Sequence, residues 1–194
     1  MIRACFNRER SIKSEKYILI YHTLLFNNSD TNNLGKKSRE IIKAKIDDVI
    51  SDLTKAYADE WLAHYQYWLT ARWIRSLDAD TLRDILIEQS KDELGHAEKI
   101  ANRIIQLGGT PIMNPGKLLE KSGCGYKEPP SDPANLKQVI QDVLDAEACA
   151  IETYSKLAEK YRTTDLVTHE MFEDLLEDEV EDEEEWEKLA GIWK

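Results

Sequence analysis

In the stretch DELGHAEK, residues 92–99, Glu93 and His96 stand three apart. On a helix that spacing puts both side chains on one face. Ile85, Gln89, Ile100 and Leu107 fall on the same face, so the two polar groups interrupt an otherwise apolar stripe. Burying a carboxylate and an imidazole there is costly unless something binds them, and a metal ion is one such binder. Glu-x-x-His is frequent by chance. The pattern gains weight only if other segments supply ligands at the same height.

Three other segments do. Val49, Leu53, Ala56, Glu60, Tyr67, Ala71 and Ile74 lie near one helical face with a single Glu among them. Ile140, Val143, Glu147, Ala150, Tyr154, Leu157 and Tyr161 repeat the arrangement around Glu147. Leu175, Glu179, Asp182, Trp186, Leu189 and Trp193 form a third stripe, with two acids in its middle. Each stripe thus carries acid near mid-height: Glu, Glu-x-x-His, Glu, Glu-x-x-Asp. Any one of these Glu residues alone reads as an exposed helix position. Four in register across four helices are harder to obtain by accident. Packed together, such carboxylates would repel one another unless cations stood between them. Carboxylate oxygens with imidazole suit iron or manganese.

Four long helical patterns position these residues, running from about Ile41 to Arg75, Asp80 to Leu107, Asp132 to Tyr161 and Asp165 to Ile192. The breaks SLDAD and RTTD are short, which makes the flanking helices antiparallel neighbours. SDPANL offers a cap residue and a proline at the start of the third. Between the second and third helices runs GGTPIMNPGKLLEKSGCGYKEPPS, rich in Gly and Pro. A four-helix bundle with one long crossover needs such a connection. The fold class expected is therefore all-α, with residues 1–33 as an N-terminal appendage and 34–194 as the bundle.

The composition agrees. Of 194 residues, 32% are charged and 42% hydrophobic, with only eight Gly and five Pro. That is a helix-rich balance in a chain long enough for one core. The formal net charge of −11 argues against DNA binding by the bulk surface and attracts cations instead. Residues 1–45 are net +6, which leaves −17 for the rest. Residues 170–187 hold twelve Asp/Glu and no Lys/Arg, a run read chiefly as a solvated face. Cys5, Cys124 and Cys149 form no CxxC pair, so a secreted disulfide framework is not indicated. YILIYHTLLF (17–26) is too short to span a bilayer and is followed by no small-residue cleavage site. The expected location is the cytoplasm.

KAYADEWLAHYQYWLTA, KDELGHAEKIANRIIQLGGTP, SGCGYKEPP, AEACAIETYSKLAE and LLEDEVEDEEEW together resemble the ferritin-like di-iron carboxylate superfamily over residues 34–190, and within it the Dps-like ferritins called thioferritins. The resemblance implies a ferritin-like four-helix bundle, a homo-oligomeric, dodecameric cage and a ferroxidase that oxidises Fe(II) with hydrogen peroxide or oxygen and stores ferric iron. It implies two iron ions per subunit, with Mn or Zn as other occupants. Glu60 and His96 would serve one ion, Glu147 and Asp182 the other, and Glu93 and Glu179 would bridge them. It also implies a redox pair of Cys124 and Cys149. Cys149 lies two residues, about 200°, from Glu147 and so faces away from it.

The chain departs from the family at Asp182, where His is usual. Direct ligation, ligation through water and no ligation all stay open there. His64, one turn after Glu60, reads as an outer ligand or as a packed histidine. The basic start reads either as a DNA-gripping arm or as a mis-called gene start, since LGKKSREII resembles the family's usual beginning. Two other functions compete. A non-storing di-metal peroxidase or oxidase would normally add a CxxC…CxxC iron site, which is lacking here. A purely structural bundle would have no use for four acids in register.

Overall fold

The structure, a computed structural model, describes residues 35–192. The expected appendage 1–33, with Cys5, and the stripe residue Trp193 lie outside the described residues. A short helix α1 (Lys36–Glu40) precedes four long ones: α2 (Ile46–Trp73), α3 (Ala79–Gln106), α5 (Leu136–Tyr161) and α6 (Leu166–Ile192). A 3-10 turn (Pro115–Lys117) leading into α4 (Leu118–Lys121) lies within the crossover. There are no strands among the described residues, and no helix there is long and apolar enough to cross a membrane.

α2 packs along α3 and α5 along α6, so the chain is two antiparallel helical hairpins joined by the crossover. One apolar cluster centres on Leu53, Ile100, Tyr154, Phe172 and Leu175. A second centres on Tyr67, Leu86, Val139, Val143 and Trp186. Side chains of this size each contribute about 1.5–3 kcal/mol when fully buried. The acids fall between the two clusters.

Three boundaries differ from the sequence expectation. The first helix starts at Ile46 rather than Ile41, because the Lys43 amide leaves the helical ladder and donates to Thr164 O at 2.8 Å. The third starts at Leu136 rather than Asp132. Asp132 instead closes a turn through the Ala134 amide at 2.9 Å, and Asn135 caps the helix by accepting from the Gln138 amide at 3.2 Å. In the crossover, which the sequence predicts as loop, Asn114 Oδ1 accepts from the Gly116 amide at 3.0 Å with Pro115 at the first helical position, and a short helical turn forms.

The end of α3 depends on glycine. Gly108 has φ +86°, a left-handed C-cap, and the Gly108 and Gly109 amides return to Ile105 O and Ile104 O, both at 2.9 Å. A Cβ on Gly109 would lie 2.9 Å from Ile104 Cγ2 and 3.1 Å from Ile50. The crossover leaves the bundle through this close approach.

Candidate metal centre

Each long helix delivers one acid to the interior. Glu60, Glu93, Glu147 and Glu179 are 1–4% exposed, and His96 is 7% exposed. Ligand atoms of Glu60, Glu93, His96 and Glu179 all lie within 4.8 Å of one another. His96 Nδ1 stands 3.1 Å from Glu179 Oε1 and 3.5 Å from Oε2 of both Glu60 and Glu93. Glu147 adjoins this group on the α5 side. Its Oε1 accepts from the Tyr67 hydroxyl at 2.7 Å, and it feels the charges of Glu93 and Glu179.

Burial pushes the Glu93 and Glu147 carboxyls well above the usual carboxylate range, and the mutual repulsion of the acids adds to it. Burial, and then the Glu93 charge, raises Glu179, while burial also raises Glu60. Burial alone would lower the His96 imidazolium, but the carboxylates of Glu179, Glu60 and Glu93 outweigh it and hold the proton on. Even so, one imidazolium cannot neutralise four acids. Glu60 Oε2, His96 Nδ1 and both Glu179 oxygens are buried without a well-formed hydrogen bond. Buried acids without donors of their own are the arrangement that a bound cation satisfies. The donor set of carboxylate oxygens and one imidazole nitrogen fits a hard or borderline divalent ion, iron among them.

Asp182 stands apart from the group. It is half-buried beside Gln89, and burial first, then the Glu179 and Asp92 charges, bring its carboxyl up to about 6, with Gln89 opposing. Gln89 is itself held by Trp186, whose Nε1 donates to Gln89 Oε1. His64 points elsewhere: Nδ1 lies 3.0 Å from Ser90 Oγ and 2.5 Å from Ser90 O, joining α2 to α3. It packs, and is not one of the clustered ligands.

Two residues that the sequence reading did not assign to the site now have work to do. Tyr67 reads as core in the sequence, and its hydroxyl, two turns after Glu60, reaches Glu147. Asp178 lies 3.3 Å from His96 Nε2. A proton on Nε2 donates to it and leaves Nδ1 turned toward the acids. Asp178 does not stand out in the sequence because it is one of twelve acids within residues 170–187.

Cys124 and Cys149 are joined by a disulfide, with Cα atoms 5.8 Å apart. It fastens the crossover to the outer face of α5. Nearby, a cavity of about 50 Å³ is lined by the loop residues Cys124, Gly125 and Tyr126 and by Glu60, Glu93 and Glu147. On the opposite side, a hollow of about 390 Å³ between α3 and α6 is lined by Asp92, Asp178, Glu181 and Asp182 and reaches His96.

Comparison with known proteins agrees with this geometry. The family model for the ferritin-like domain matches residues 50–193. A DNA protection during starvation protein from Pyrococcus furiosus is 23% identical over 135 residues, covering 67% of this chain and 72% of the relative. Among solved structures, a dodecameric thioferritin, the bacterioferritin-related protein of Bacteroides fragilis, superimposes with TM-score 0.76 at 30% identity, covering 81% of this chain and 94% of that one. Dps from Listeria monocytogenes superimposes with TM-score 0.68 at 16% identity, covering 73% and 92%, and shows the fold alone.

Proposed function

This chain belongs to the ferritin-like domain family, in its Dps-like branch, and on that premise we propose that it oxidises Fe(II) at a dinuclear site inside the bundle, stores ferric iron in a homo-oligomeric cage and so protects against oxidative stress. The observation that carries this reading is the set of four buried Glu side chains, one per helix, with a single imidazole among them. Divalent cations suit such an arrangement of acids.

Glu60 and His96 would hold one Fe(II) and Glu147 the other, with Glu93 and Glu179 between; Asp182, which stands apart from the cluster, would reach the second ion through water. Bound iron supplies the electrons: two Fe(II), one hydrogen peroxide and two protons become two Fe(III) and two waters. The protein's share is electrostatic and positional. The carboxylates offset the added charge as iron is oxidised. Asp178 fixes the His96 ring, and the Tyr67 hydroxyl fixes the Glu147 oxygen that faces it. Protons held by Glu93 and Glu147 leave when metal arrives. The 30%-identical neighbour is described as dodecameric, and a cage of twelve is our reading for this chain too.

Stopped-flow Fe(II) oxidation with peroxide or oxygen tests the site. Glu93→Ala should lower the rate at least about 100-fold, the scale for removing a group that acts on transition-state charge. An unchanged rate sinks the assignment. Native mass near twelve subunits, with far more than two irons per subunit retained, supports storage. A dimer retaining only two irons per subunit points to the non-storing oxidase.

A further inference from the structure

Residues 122–127 of the crossover lie over the groove between α2 and α5, at the level of the buried acids. Three kinds of fastening hold them there. On the α5 side is the Cys124–Cys149 disulfide. On the α2 side, Asp59 Oδ1 accepts from the Ser122 hydroxyl and from the Gly123 and Cys124 amides, at 2.8 and 2.9 Å for the two amides. Seven residues further along α2, buried Gln66 accepts from the Lys127 amide at 2.8 Å. The turn between these fastenings needs Gly125, which has φ +82° and whose amide donates to Ser122 Oγ at 2.7 Å.

Asp59 is chemically out of place as a core neighbour. It is the residue next to Glu60, yet it faces the loop rather than the acids. One oxygen takes three donors, the pattern by which a carboxylate organises a backbone turn. Residues of this turn, Cys124 to Lys127, line the cavity of about 50 Å³ together with Glu60, Glu93 and Glu147. That is room for a few water-sized molecules. Hydrogen peroxide and oxygen are of that size; a branched organic hydroperoxide is bulkier.

We propose that the 122–127 turn is a lid that admits only small oxidants to the acids, and that Asp59 is the positioning residue that keeps it closed. The size limit rests on the ferroxidase reading above; the clamp does not. The disulfide alone leaves a hinge at Cys124, because it fixes one residue and not the two amides beside it. Gln66 holds the Lys127 end to α2; with Asp59 in place the 122–124 end is held there too, so both ends of the turn are pinned.

Two measurements on the full chain test this, using wild type, Asp59→Ala and Asp59→Asn, the last of which keeps the Oδ1 acceptor without its charge. In metal-free protein, hydrogen exchange at the Gly123 and Cys124 amides should speed up at least about tenfold in Asp59→Ala, and less in Asp59→Asn. In iron-loaded protein, wild type should oxidise Fe(II) with hydrogen peroxide at least about tenfold faster than with tert-butyl hydroperoxide. Asp59→Ala should bring that ratio toward one by gaining on the bulky oxidant, with the hydrogen peroxide rate within about twofold of wild type. Unchanged exchange overturns the clamp. Faster exchange with an unchanged ratio, or equal rates for both oxidants in wild type, overturns the lid and assigns oxidant passage to the wider α3–α6 hollow. If wild type oxidises Fe(II) with neither, the ferroxidase reading and the size limit fall together, while exchange still decides the clamp. A merely structural Asp59 would slow both oxidants alike.

Discussion

Asp165 caps α6 and Glu179 sits near its middle, and both are almost fully buried, yet the protein treats the two charges in opposite ways. Arg103 Nη2 meets both Asp165 oxygens at 2.8 Å, Arg103 Nε donates to Thr168 Oγ1 at 2.9 Å, and the Thr168 hydroxyl donates back to Asp165 at 2.6 Å. Charge and hydrogen bonds close within the chain. Around Glu179 they do not close: four carboxylates share one imidazole, and several oxygens find no donor. A buried ion pair that is complete serves the fold, here by tying the end of α3 to the start of α6. A buried acid cluster that the chain's own donors do not neutralise is suited to a cation.

The largest expected effect breaks the complete pair. Arg103→Ala strands Asp165 and should lower stability by about 3–5 kcal/mol in denaturant unfolding. The loss should be about the same with or without added divalent metal. A loss that metal repairs would mean that the two regions are not independent.

The incomplete cluster should show itself as a pH dependence of the metal-free protein. Glu60, Glu93, Glu147 and Glu179 have carboxyls raised in the folded state, and His96 holds its proton above the usual imidazole range. A raised group binds protons more tightly in the folded chain, so its contribution is present at low pH and lost as pH rises. Apo stability should therefore fall from about pH 4.5 upward, by about 1.4 kcal/mol for each unit by which a group is raised. Glu93→Gln should flatten that decline without lowering apo stability. Saturating metal should reverse it, because metal replaces the protons. Urea midpoints across pH 5 to 8 measure both, and a flat apo profile would remove the contrast with Asp165.

The smallest effect sharpens the comparison inside the cluster. With Asp182, five carboxylates would face two divalent ions. The Glu147/Asp182 position should then bind Fe(II) more weakly than the Glu60/His96 position, about tenfold or 1.4 kcal/mol. Anaerobic titration should resolve two steps, and Asp182→His should bring them together. Two equal steps in wild type, untouched by the substitution, would show that Asp182 is no weaker substitute for histidine.

Much of this was legible in the chain as written. Periodicity placed Glu60, Glu93, Glu147 and Glu179 on inward faces, because a helix repeats every 3.6 residues whatever it packs against. All four are buried, as are the stripe residues Leu53, Tyr67, Ile100, Tyr154 and Trp186. The helix starts were less legible. Lys43 pairs with Thr164 O across the bundle, and no local pattern at residues 41–45 announces that bond.

What the sequence determined by itself is which face of each helix is buried and that each face carries acid, for these follow from residue types at short, fixed spacing. The partners follow from how the helices pack. Tyr67 reaches Glu147 80 residues away, Asp178 reaches His96 across 82, Arg103 takes Asp165 across 62, and Asp59 takes the loop amides across 64 and 65. A hydrogen bond falls off steeply beyond about 3.2 Å. Such pairings therefore depend on the register and rotation of packed helices, which each helix's own sequence leaves free and only their mutual packing fixes.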